Sequence, residues 1–103
     1  MAAYSFHLSF YANGLRGDDV AAALEQLAGI APRYGANHWA VYRSSDDRYK
    51  FLLTVDFADK QDFQKFWYGD EAVDFRASMN GAYQNPITYV PHEIVTSGAA
   101  VTA

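Results

Sequence analysis

The chain contains no cysteine, few prolines and few basic residues, and it has no long apolar run. Without cysteine there are no disulfides, thiol nucleophiles or thiolate metal sites, and the redox compartment stays open, with the cytoplasm as the default expectation. The 8 lysines and arginines are spread thinly through a chain of net charge −4. They form no cluster able to neutralise several phosphates, so nucleic acid is not an expected partner. The apolar runs are too short for a membrane span. Residues 1–15 carry no basic segment followed by a continuous apolar one, so no signal peptide is expected. Glycine-rich phosphate loops and the G-x-S-x-G nucleophile turn are also missing, which argues against the usual nucleotide cofactors and elbow-type hydrolases.

Aromatic residues are abundant: 7 Phe, 8 Tyr and 2 Trp in 103 residues. A chain of this length is one domain, and it buries only about 60–65% of its unfolded surface. That many rings implies that some line a pocket or a subunit interface.

The clearest local signal is a hairpin over residues 36–57, in which two runs rich in β-branched and aromatic residues flank Ser45-Asp46-Asp47. In the second run Tyr49, Phe51, Leu53, Val55 and Phe57 alternate with Lys50, Leu52, Thr54 and Asp56, the pattern of a strand with one buried face. The register of the first run is ambiguous, because His38 and Tyr42 share one face and Trp39 and Val41 the other. Residues 3–11 alternate similarly, with Tyr4, Phe6, Leu8 and Phe10 opposite Ser5, His7, Ser9 and Tyr11. Between these strands, Val20, Leu24, Leu27 and Ala31 recur at helical spacing after a cap at Asp18 or Asp19, and Pro32 ends the helix.

After the hairpin, Asp59 is a plausible N-cap, with Asp62 completing a weak capping box. Phe63, Phe66 and Trp67 share the buried face of that helix. Gly69 should break it, Asp70 recap it, and a second segment should run from about Glu71 to Asn80. A last strand is expected from Ile87 to Val95, with Pro91 restricting it to an edge or a bulge. Residues 1–95 are thus one domain, and 96–103 are expected as a disordered tail.

The order β-α-β-β-α-β gives an α+β, ferredoxin-like fold, a four-stranded antiparallel sheet with its helices on one face. The other face would still carry Tyr11, Tyr42, Leu52 and a tryptophan, and it needs a cover; a second subunit supplies one, making a homodimer.

This order, the hairpin and the segment Asp59-Lys-Gln-Asp-Phe-Gln-Lys-Phe-Trp-Tyr-Gly-Asp-Glu-Ala-Val-Asp-Phe-Arg resemble the dimeric α/β-barrel superfamily, within it the antibiotic-biosynthesis-monooxygenase-like proteins. The resemblance covers residues 3–95. It implies a homodimer whose two sheets close face to face, with a pocket between each sheet and its own helices. It also implies activities ranging from cofactor-free oxygenation of polyketide quinols to haem degradation, isomerisation and cyclisation. The haem-degrading branch takes an axial histidine from the second helical region. Here Phe75 stands near that position and no histidine lies between Asp59 and Gly81.

For the chemistry, His7 and His38 are candidate general bases, and Arg76 could steady a developing enolate or phenolate. Tyr11, Tyr42, Phe63, Phe66, Trp67, Phe75, Asn80 and Tyr83 are the candidate substrate-binding residues. The same histidines read equally as hydrogen-bonded interface residues, and the rings as plain core. His92 completes the set of three histidines, which have no metal-ligand spacing. The expected function is therefore a cofactor-independent monooxygenase, or a related cyclase or isomerase, acting on a hydrophobic aromatic or polyketide-like molecule without a cofactor. The alternatives are a non-catalytic small-molecule-binding or assembly module and a haem-binding protein.

Overall fold

Alternation along the strands dictates the layer structure. In the computed structural model, which describes residues 3–100, the first strand β1 spans Tyr4–Tyr11 and sends Phe6, Leu8 and Phe10 into the core. Helix α1 (Gly17–Gly29) follows, and a 3-10 turn (Ala31–Tyr34) leads into β2 (Ala36–Arg43). The hairpin then delivers β3 (Lys50–Phe57), whose Phe51, Leu53, Val55 and Phe57 are all buried. Helices α2 (Lys60–Trp67) and α3 (Asp70–Ser78) precede the short strand β4 (Tyr89–Glu93).

The four strands form one antiparallel sheet in the order β2-β3-β1-β4. The core lies between this sheet and the helices: Val20, Leu24 and Leu27 of α1 and Phe63, Phe66 and Trp67 of α2 are all buried. The α+β, ferredoxin-like architecture read from the sequence is the one observed. Pro91 sits in β4, an edge strand, where its missing N–H costs no ladder bond on the open side.

Several boundaries differ from expectation, each for a local reason. Helix α1 begins at Gly17, and its N-cap residue, Arg16, makes no side-chain cap. Asp18 and Asp19 lie inside the first turn, where their charge favours the helix dipole and Asp18 pairs with Arg43 at 2.9 Å. Asp59 does cap α2, its carboxylate accepting the Gln61 N–H at 2.9 Å, but Asp62 turns to Lys65 and does not reach back. The expected break falls at Tyr68-Gly69. A Cβ on Gly69 would lie 2.7 Å from the Lys65 carbonyl oxygen and 2.8 Å from the Tyr34 hydroxyl, so the bend demands glycine there. Strand β4 is shorter than residues 87–95, and residues 96–100 have no regular structure. The last three positions of the expected disordered tail lie outside the described residues.

Candidate functional site

A bulge at Asn37 resolves the ambiguity of β2. Past it, His38 pairs with Asp56, Trp39 with Val55, Ala40 with Thr54 and Tyr42 with Leu52. His38 and Tyr42 therefore share the open face of the sheet, while Trp39 and Val41 lie on the helix side. The expected tryptophan on the open face is absent: Trp39 borders Ala21 and Glu25 of α1, and Trp67 is buried in the core.

The open face gathers all three histidines. The register aligns His38, Asp56, Ser5 and His92 in one row across the four strands, with Ala40, Thr54, His7 and Val90 in the next. The His38 ring lies 3.7 Å from the Asp56 carboxylate. His7 Nε2 is 3.1 Å from Ser5 Oγ, and its ring packs on His92 at a centroid distance of 4.2 Å. Partial burial, and then the neighbouring His92, push the His7 pKa below its ordinary value, while Asp56 acts weakly the other way. Burial and His92 both favour the neutral imidazole. At the far end of this face the Tyr11 hydroxyl donates to Asp47 at 2.8 Å, and Tyr42 borders a shallow hollow with Ser9, Lys50 and Leu52.

The aromatic group of the second helical region lies on the other side of the sheet. Phe63 and Phe66 are fully buried; Phe63 stacks on Phe6 at 3.9 Å and 5° and contacts Trp67, Phe66 and Phe57 at 6.1 to 6.3 Å. Tyr83 packs edge-on to Phe10 and parallel to Phe75. Its hydroxyl is pushed up by burial, partly offset by Arg76. These rings fill the space between sheet and helices. Arg76 closes the bend between α2 and α3: its guanidinium donates to the Trp67 carbonyl at 2.8 Å and lies 4.2 Å from that indole. Asn80 is exposed.

The structure therefore separates the residues expected to form one site. His7, His38, Tyr11 and Tyr42 are on the open face, and Phe63, Phe66, Trp67, Phe75, Arg76 and Tyr83 are on the helix side. With the sheet between them, a histidine base and the aromatic wall cannot act on one substrate in one subunit.

A different cavity appears between α1 and α3. Ala23, Gln26, Leu27 and Ile30 on one side face Glu71, Asp74, Phe75 and Ser78 on the other, around a space of about 380 Å³. Both rows follow i, i+3, i+4, i+7 spacing, so each is one face of its helix. Facing rows of large apolar residues would close by ridge-into-groove packing. Here Ala23 and Ser78 are short, and Gln26, Glu71 and Asp74 stay at the rim, because burial unpaired would cost about 1–3 kcal/mol for the amide and far more for an ionised carboxylate. Leu27 and Phe75, both nearly inaccessible, form the apolar floor. The Tyr34 hydroxyl donates to Glu71 at 2.5 Å and Arg33 approaches it at 3.7 Å; the hydrogen bond, chiefly, holds the Glu71 carboxyl below its ordinary pKa. Sequence reasoning placed Phe75 in a cavity wall but missed its α1 side. The signal was the short Ala23 and polar Gln26 flanking the apolar stripe of α1 on one side. No histidine lines this groove, so a haem seated there would find no imidazole ligand.

No protein-family profile and no curated protein matches the chain. Solved structures do. A protein of unknown function from Nitrosomonas europaea superposes with a TM-score of 0.82 at 16% identity, covering 99% of this chain and 98% of the other. A candidate antibiotic biosynthesis monooxygenase from the same organism gives 0.81 at 14% identity, with 90% of each chain covered. The chain has the fold of the antibiotic-biosynthesis-monooxygenase-like proteins. A further structure described as an antibiotic biosynthesis monooxygenase gives 0.78 at 11% identity, over 90% of this chain and 99% of that one. At such identities the likeness speaks for the fold alone. Among the described residues, no helix is long and apolar enough to cross a membrane.

Proposed function

We propose that this chain is a small-molecule-binding protein whose ligand, a hydrophobic molecule of aromatic or polyketide-like character, lies in the groove between α1 and α3. One observation carries this reading. The two facing helix rows leave a space of about 380 Å³ over an apolar floor where packing would otherwise have closed it. That volume is within the range of ligand pockets, roughly 300–1,000 Å³. Phe75, stacked on Tyr83, offers a ring edge for a flat ligand. Native mass spectrometry of protein purified from its own type of host is the test. A small organic adduct is expected, and Ala23→Trp, which fills the groove, should remove it. An adduct retained by that variant, or no hydrophobic compound raising the melting temperature, would overturn the reading.

A second reading is favoured by His7, which lies on the open face with its pKa lowered by partial burial, and by the names of the solved structures: a homodimeric, cofactor-independent monooxygenase, or a related cyclase or isomerase. The open face carries Tyr42, Leu52, Ala40 and Val90 around His7, and a second copy would cover them. His7 would then take a proton from an activated aromatic substrate held between the two sheets. The resulting anion would react with O2, so that a CH2 group becomes a carbonyl and the second oxygen leaves as water. Oxygen uptake with an anthrone, whose ring CH2 is acidic, as probe tests this: His7→Ala should abolish uptake while the melting temperature and dimer mass persist. Uptake that survives the substitution would remove His7 from the mechanism.

A further inference from the structure

Little holds β4 to the rest of the sheet. It has 5 residues where β1, β2 and β3 have 8 each, it pairs with β1 alone, and past Tyr89 it is exposed. On the helix side Tyr89 packs on Phe63 at 4.7 Å and on Phe6 at 6.2 Å. The Ile94 N–H donates to the Ala3 carbonyl at 2.9 Å, so by antiparallel alternation His92 and Val90 are the next hydrogen-bonded positions of this seam. On the open face the strand offers Val90 and His92, and the His92 ring leans across the seam onto His7 at a centroid distance of 4.2 Å.

Each imidazole has one nitrogen fixed by a hydrogen bond. His92 Nδ1–H donates to the Val90 carbonyl at 3.1 Å, and His7 Nε2 lies 3.1 Å from Ser5 Oγ. One further proton on each ring therefore sets two positive charges against each other across the seam. The surroundings offset that charge poorly. β1 contributes the neutral Ser5 and Ser9, and Thr54 of β3 stands opposite His7. The carboxylate nearest by register is Asp56 of β3, diagonal to His7, and it already faces His38 of β2 at 3.7 Å. Glu93 alternates to the helix side opposite Tyr4, while Tyr11, Asp47 and Lys50 stand at the far end of the face.

From this contact of two imidazoles across the shortest seam of the sheet we infer that β4 is an acid-sensitive latch, docked on β1 while the pair is uncharged and released as both histidines take up protons. Release carries Tyr89 off Phe63, opens that edge of the core and leaves β1 with an unpaired edge. Linkage gives the sign. Burial and His92 lower the His7 pKa in the docked form, which therefore binds fewer protons, and acid favours the open form.

Amide hydrogen exchange of the whole 15N-labelled chain at about pH 7.5 and about pH 5 tests this, read as protection factors so that the intrinsic effect of pH drops out. Protection at Val90, His92 and Ile94 should fall about 5- to 30-fold in acid; the upper figure applies when one imidazole of ordinary pKa, about 6.5, takes no proton while docked. Amides of the β2–β3 ladder should hold within about 2-fold. In His7→Gln the fall should shrink to about 2-fold or less. In His92→Gln, an exposed position that keeps the test open should His7→Gln lower stability throughout, it should shrink part-way, because the burial of His7 remains. Equal protection of β4 at the two pH values, a loss spread evenly over every ladder, or a fall that survives whole in either variant would overturn the inference.

Discussion

Phe63 decides whether the aromatic group beneath α2 is packed interior or the wall of a binding space. Its ring is fully buried and stacked at 3.9 Å on Phe6, with Phe57, Phe66, Trp67 and Tyr89 around it. Truncation to alanine removes the transfer free energy of the ring and leaves a cavity hemmed in by other rings, which cannot collapse easily. Such Phe→Ala changes cost about 3–5 kcal/mol, and the lost stacking on Phe6 contributes about 0.5–1.5 kcal/mol within the upper part of that range. For a domain near 100 residues, each kcal/mol moves the melting temperature by roughly 4 °C or more, so Phe63→Ala should melt at least about 12 °C lower. Urea denaturation followed by tryptophan fluorescence, at one fixed protein concentration, gives the free energy directly, and the slope should stay unchanged. A loss under about 1 kcal/mol would refute the packing argument and return Phe63 to a pocket wall. Phe63→Leu, which keeps most of the volume, should lie well below the alanine cost.

Other substitutions follow the same logic. Arg76→Ala removes both the hydrogen bond to the Trp67 carbonyl and the stacking on its indole, and should cost about 1–2 kcal/mol; Arg76→Lys should recover little, because an ammonium cannot reproduce the planar stack, and both are read by thermal melting with Trp67 emission. Asp59→Ala should cost about 1 kcal/mol by freeing the Gln61 N–H at the start of α2, again seen in thermal melting. His7 sets a pH dependence: its folded pKa lies below the ordinary histidine value of about 6.5, so the native state binds fewer protons than the unfolded chain. Its stabilising contribution is complete above about pH 7 and is lost as pH falls through 6.5 toward the lowered folded value. His7→Asn should flatten the melting temperature against pH in that interval, and an unchanged curve would contradict the assignment.

The fold was legible in the sequence because β1 and β3 carry strict alternation, and because Gly69 and Asp59 punctuate the second helical region. What could not be read locally was which layer each ring faces. In β2 both faces carry aromatics, so only the bulge at Asn37, a feature of pairing with β3, assigns His38 to the open face and Trp39 to the helix side. The helix rule grouped Phe63, Phe66 and Trp67 correctly, yet a shared face does not tell a filled core from a lined cavity. That depends on Phe6 and Phe57, which arrive from distant strands. Arg76 read as a substrate-facing charge because its partner is a backbone carbonyl, which no side-chain pattern reveals. The groove escaped notice because it is defined by what two helices fail to fill, and helix pairing is set by the two crossovers, β1 to β2 through α1 and β3 to β4 through α2 and α3.

The central claim is that ligand binds between α1 and α3. Amide shift mapping of the 15N-labelled protein with 2-phenylethanol tests it most directly. The account predicts perturbations concentrated at residues 23–30 and 71–78, lost in Ala23→Trp. Perturbations centred on His7, His38, Tyr42 and Leu52 would contradict it and move the site to the open face of the sheet.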